Sequence, residues 1–86
     1  MPELCRFFGI VVTMNVNDHP PPHFHARYNE WKATIRIDDL EIHEGELPPR
    51  ILGFVVEWAV QHRSELRECW RLARSRRPFP KIKPLE

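Results

Sequence analysis

The stretch His23-Phe24-His25-Ala26-Arg27-Tyr28-Asn29-Glu30-Trp31-Lys32-Ala33-Thr34-Ile35-Arg36-Ile37 decides the fold. Phe24, Ala26 and Tyr28 alternate with His23, His25 and Arg27; Trp31, Ala33, Ile35 and Ile37 alternate with Lys32, Thr34 and Arg36. A period of two puts one set on each face of a strand, so both halves predict half-buried β-strands. Asn29-Glu30 between them reads as a two-residue hairpin turn, since Asn tolerates positive φ. Counting outward from that turn sets His25 across from Thr34 and His23 across from Arg36. A second tight turn at Asp38-Asp39 leads to Leu40, Glu41, Ile42 and His43, with Thr34 across from His43 and Arg36 across from Glu41. The product is a three-stranded meander. Its apolar face carries Tyr28 and Trp31, and its outward face His23, His25, Arg27, Lys32, Thr34, Arg36, Glu41 and His43.

Upstream, Phe7 to Met14 is rich in β-branched and aromatic residues and reads as one further strand at the sheet edge, with Gly9 as a bulge. Asn15 to Pro22 is a turn-rich connection. Downstream, Gly45 ends the sheet and Pro48-Pro49 suits the first turn of a helix, where missing donors cost nothing. Ile51, Leu52, Val55, Trp58, Ala59, His62, Leu66, Cys69, Trp70 and Ala73 recur at three- and four-residue steps. That stripe predicts a single amphipathic helix of about seven turns, from Pro49 to Arg74. Pro78, Pro80 and Pro84 keep the tail extended, and Phe79, Ile82 and Leu85 tack it onto the sheet or onto a partner. The expected architecture is a two-layer α+β domain over residues 1–86: an antiparallel sheet of three to four strands packed on one long C-terminal helix.

The apolar fraction of 42% and three tryptophans exclude a disordered chain. No apolar run is long enough to span a bilayer, and the N-terminus lacks a signal-peptide pattern. Cys5 and Cys69 form no CxxC pair, and the reading is of two reduced, buried thiols in a cytoplasmic protein. Charge is unevenly spread. Residues 1–46 hold 4 Lys/Arg against 8 Asp/Glu, whereas residues 47–86 hold 9 against 4. The basic excess follows Arg63, in Arg67, Arg71, Arg74, Arg76, Arg77, Lys81 and Lys83. Such an end would meet a nucleic acid or an acidic protein favourably, although a solvated helix end also gathers cations that complement the helix dipole.

Three of the five histidines fall in Asp18-His19-Pro20-Pro21-Pro22-His23-Phe24-His25. Prolines hold His19 on a stiff turn, while the i, i+2 spacing points His23 and His25 to one face. Three readings stay open. His19, His23 and His25, with Asp18, could ligate zinc and leave a catalytic position open, although nearby Arg27, Lys32 and Arg36 oppose a dication. Alternatively, His23, Arg27, Lys32 and Arg36 on the sheet, with Arg71, Arg74, Arg76 and Arg77 on the helix end, could hold phosphates or a partner. Within that reading, His25 and His43 flanking a phosphate could act as general base and acid in RNA cleavage. The third reading is structural: solvated strand histidines, a turn bonded by Asp18 or His19, and Trp58, His62 and Trp70 as core or dimer contacts. Nucleophilic catalysis finds little support, because Ser64, Ser75 and the cysteines lie away from the histidine cluster in sequence, and the three glycines are isolated.

The residues Arg6-Phe7-Phe8-Gly9-Ile10-Val11, the Asp18-His19 to Pro21-Pro22-His23-Phe24-His25-Ala26 block, Glu57-Trp58-Ala59, Leu66 to Trp70 and Ile82-Lys83-Pro84-Leu85 carry a resemblance. Together they resemble the bacterial family known as domain of unknown function 4160 (DUF4160). The chain departs from that pattern at Asn29-Glu30, where glycine is more usual, and at Pro20, where asparagine is common. The resemblance implies a small cytoplasmic prokaryotic protein encoded beside another small protein, in a two-gene module of toxin–antitoxin type. It supplies no catalytic residue. The expectation is therefore a regulatory domain that binds its neighbour's product, RNA or DNA, without a cofactor and without a membrane. The alternatives are a small ribonuclease, a zinc-assisted hydrolase, and a structural homodimer.

Overall fold

A computed structural model describes residues 2–85. Strands β1 (Glu3–Phe7), β2 (Ile10–Thr13), β3 (His23–Tyr28), β4 (Trp31–Arg36) and β5 (Ile42–Glu46) precede helices α1 (Pro49–Gln61) and α2 (Arg63–Arg74). The strands form one antiparallel meander in the order β1-β2-β3-β4-β5. The α+β architecture is as the alternation implies, but the sheet has five strands. Phe8-Gly9 is a turn, not a bulge inside one strand. Both residues take positive φ (51° and 80°), so Phe7 pairs with Ile10 across a tight hairpin. An added Cβ on Gly9 would stand 3.3 Å from the Tyr28 ring, a second reason for glycine there.

The β3–β4 hairpin turns at Asn29 with φ 52° and pairs Tyr28 with Trp31, His25 with Thr34 and His23 with Arg36, in the counted register. Two expectations around it fail. Trp31 lies at the hairpin tip and is 37% exposed, not buried. The β4–β5 connection is wider than two residues: Leu40 takes the left-handed conformation, and the register shifts between Thr34 and Ile35. Thr34 therefore faces Glu44 instead of His43. Arg36 still receives the Glu41 carbonyl on its N–H.

The helical stripe is broken at His62, whose φ and ψ of −125° and 23° leave the helical region. One straight helix from Pro49 to Arg74 would run about 39 Å, beyond the molecule's greatest extent of 33 Å. Past the break, α2 buries Leu66, Cys69 and Ala73 in the core. The Asn17 N–H donates to the Ala73 carbonyl, docking the loop before β3 on the end of α2. Arg76, with φ 57°, closes α2: its N–H donates to Ala73 and that of Arg77 to Leu72, the pairing of a Schellman motif.

The core lies between the sheet and the helices. Leu4, Ile10, Val12, Phe24 and Ile35 meet Val55, Trp58, Ala59 and Leu66, all buried. Trp58 packs against Phe7 and Phe24, and its indole N–H donates to the Lys83 carbonyl at 2.7 Å, giving the buried ring the polar partner it needs. Ile82 and Leu85 are buried, and the Ile82 N–H donates to Leu4 on β1, so the tail is tacked onto the sheet. Cys5 and Cys69 are free, buried thiols. No helix among the described residues is long and apolar enough to cross a membrane.

Candidate functional site

The loop from Asn15 to Pro22 and the first half of β3 gather the polar groups that the sequence places close together. β2 ends at Thr13 and Asn17 turns with φ 54°. Asp18 Oδ1 then accepts the His19 N–H at 2.8 Å. A cis peptide joins Pro20 to Pro21, and the Ile37 N–H donates to the Pro22 carbonyl, extending the β3–β4 ladder into the loop.

Asp18 Oδ2 is the hub. It lies 3.0 Å from His23 Nε2, 3.5 Å from His25 Nε2 and 3.2 Å from the Asn15 amide nitrogen. His23 Nδ1 sits 2.7 Å from the Pro21 carbonyl. A carbonyl only accepts, so Nδ1 carries the proton there. The Asn15 amide also approaches His25 Nε2 at 3.2 Å, and His25 Nδ1 lies 3.3 Å from Thr34 Oγ1. The amide nitrogen donates, so His25 accepts at Nε2 and holds its proton on Nδ1 toward Thr34. Each group has a partner, and no buried side-chain polar atom among the described residues is left without one.

Burial works to raise the Asp18 pKa, but hydrogen bonds from the His19 N–H, His23 and Asn15, aided by the nearby His23 charge, hold it down at about 2. The carboxylate is thus ionised at neutral pH. Burial is the main cause that pushes Cys5 up to about 12 and Cys69 up to about 11. Both stay as thiols, in keeping with an inert structural role.

α2 closes one side of the cluster. The Trp70 ring lies 5.1 Å from that of His23, centroid to centroid, leaving His23 only 7% exposed; His23 is covered, not solvated as its outward position on the strand implies. Arg74 donates through Nη1 to the Asp18 carbonyl. The other side opens to a cleft of about 350 Å³, lined among others by His19, His25, Thr34, His43 and Glu44.

The sequence-derived candidates therefore have different surroundings. His23 and His25 converge with Asp18, whereas His19 is exposed and forms no side-chain hydrogen bond with a described residue. His43 shares the cleft with His25 but is exposed on β5. Arg27 and Lys32 border a neighbouring groove of about 660 Å³ on the outer sheet face. Arg36 is paired with Asp39, and Arg71 with Glu68. Arg76 and Arg77 are exposed, and they form no ion pair with another described residue. Sequence reasoning misses Asn15 as the link between Asp18 and His25, although its place in the polar Asn15–Asp18 run was the available signal. It also reads Trp70 only as core or interface, because its seat on His23 depends on the break at His62.

Comparison with known families matches residues 9–71 to DUF4160, described as "Domain of unknown function". The chain belongs to that family. No curated protein and no solved structure matches it.

Proposed function

We propose that this DUF4160 protein is a small cytoplasmic bacterial regulatory domain of a two-gene, toxin–antitoxin-like module. It binds nucleic acid, or its partner protein, through the basic end of α2 and the neighbouring histidine face. One observation carries this reading. The docking of Asn17 on Ala73 and of Arg74 on Asp18 joins the basic end of α2 to the histidine loop, more than fifty positions away in sequence. Arg76 and Arg77 follow within three residues of Arg74, exposed and unpaired among the described residues. Guanidinium groups bind phosphate oxygens well, singly or in pairs of bonds, and the histidines can add donors beside them.

The test uses fluorescence anisotropy with labelled single-stranded RNA and duplex DNA, comparing the wild type with Arg76→Ala/Arg77→Ala. Arg74 is left intact because it holds the loop. If both arginines contact phosphates, affinity falls and the slope of log K against log salt loses about 1.4 to 1.8. A weakened complex with the co-expressed neighbour, with nucleic-acid binding absent, selects the protein partner. Unchanged affinity for both ends the proposal.

Ribonuclease chemistry is a second reading, favoured by His25 and His43 lining one cleft. In that reading His25 and His43 divide the general base and general acid roles between them.

A further inference from the structure

The cysteines are sealed, and the exposed Phe8 at the β1–β2 turn meets Phe54 edge-on without any indication of what would cover it. The hydrogen-bonded cluster around Asp18 carries more. We infer that Asp18 Oδ2, His23 Nε2 and His25 Nε2 form a binding site for one divalent transition-metal ion.

The first support is distance. The three donor atoms lie within 4.8 Å of one another, and Oδ2 stands 3.0 and 3.5 Å from the two nitrogens. Zinc bonds of about 2.0–2.1 Å at tetrahedral angles set neighbouring ligand atoms about 3.3 Å apart, between those two values. The third separation, between the two Nε2 atoms, is within 4.8 Å and closes toward the same value by rotation of the rings.

The second support is tautomer. An imidazole ligates through a nitrogen without a proton, and the other nitrogen is ordinarily held by a carbonyl or another oxygen. His25 meets both conditions, and His23 meets the second, with its Nδ1 held on the Pro21 carbonyl while its Nε2 faces Asp18. Pro21 fixes the proton of His23 on Nδ1, and Thr34 with Asn15 fixes that of His25 on Nδ1. Both Nε2 atoms therefore face the same carboxylate. Nothing in a merely solvated pair of histidines requires this agreement.

The third support is enclosure. Trp70 covers His23, while the cleft beside His25 leaves room for water or an anion as a fourth ligand. Three protein ligands with an open position describe a reactive site more than a structural one. Imidazole and carboxylate donors suit zinc, iron, cobalt or nickel more than calcium. Arg36, whose charge would oppose the ion, is engaged by Asp39. His19, the third ligand that spacing favours, is replaced by Asp18.

The experiment is direct. The full chain is stripped with a chelator and titrated with Co²⁺, following visible absorption, quenching of tryptophan emission by the ion beside Trp70, and stoichiometry by native mass spectrometry. The wild type should bind one ion. Thr34→Val, which keeps shape and all three ligands, should weaken binding about tenfold or more. His25→Ala and Asp18→Asn should weaken it further, while His19→Ala should bind as the wild type. Circular dichroism of each variant separates lost ligands from lost fold; if Asp18→Asn does not fold, His25→Ala and Thr34→Val decide. Equal binding by wild type and His25→Ala, equal loss in His19→Ala, or the lack of a one-to-one complex overturns the inference. Nucleic-acid binding is not part of the readout, so this inference stands or falls separately.

Discussion

The histidine loop and strand β5 offer similar side chains to the outer region of one sheet, yet they differ in order. Around Asp18, each of His23, His25 and Asn15 has at least two polar partners, and Trp70 lies over His23. On β5, His43, Glu44 and Glu46 are exposed, and none forms a side-chain hydrogen bond with another described residue. Alternation alone makes the two regions equivalent. What separates them is cover from α2, which lowers the local dielectric and strengthens each bond beneath it. Outward polarity thus locates a face, and the third element laid over it selects the site.

The widest gap between the two regions should appear in stability. His23→Ala removes a covered partner of Asp18 and leaves a hollow under Trp70, and should cost about 2–4 kcal/mol in urea unfolding. His43→Ala should stay within about 0.5 kcal/mol. Equal losses would erase the distinction.

A smaller effect concerns acid. The folded-state pKa of Asp18 lies near 2, below its ordinary value of 3.8. Its carboxylate therefore contributes stability in full above about pH 4, and that contribution is lost as pH falls toward 2. Asp18→Asn forfeits it at every pH. The difference in urea midpoint between wild type and this variant should be steady from pH 7 to 5, then shrink between pH 4 and 2. Glu44→Gln on β5 should show no such convergence, and a constant difference for Asp18→Asn would refute the argument.

The smallest effect sharpens the role of α2's end. Arg76 occupies a left-handed position that glycine fills at lower cost. Arg76→Gly should stabilise the fold by about 0.5–1 kcal/mol while weakening the proposed phosphate contact. A variant that gains stability and keeps full affinity would remove Arg76 from the interface.

The β3–β4 hairpin was legible because alternation and Asn29 agree on one turn. The Phe8-Gly9 hairpin was hidden, since strand-prone residues on both sides let Gly9 pass for a bulge and Phe8 carries no mark of a left-handed residue. The break at His62 was hidden for a parallel reason: apolar spacing runs through it to Leu66 and Cys69, and only the size of the sheet demands the bend. In the site, His23, His25 and Asp18 stood out because they are close in sequence. Trp70 and Arg74 reach the cluster through tertiary docking, which no local pattern encodes.

The returning tail has a consequence for association. β1 and β5 are the sheet's two edges, and an open edge is a template for another chain. At β1 the tail takes one backbone bond through Ile82, and Pro80 and Pro84 on either side carry no N–H to continue a ladder. At β5, Gly45 at φ 80° beside the register shift roughens the strand, and Glu44 and Glu46 charge it. Each edge thus resists templated growth by its own means.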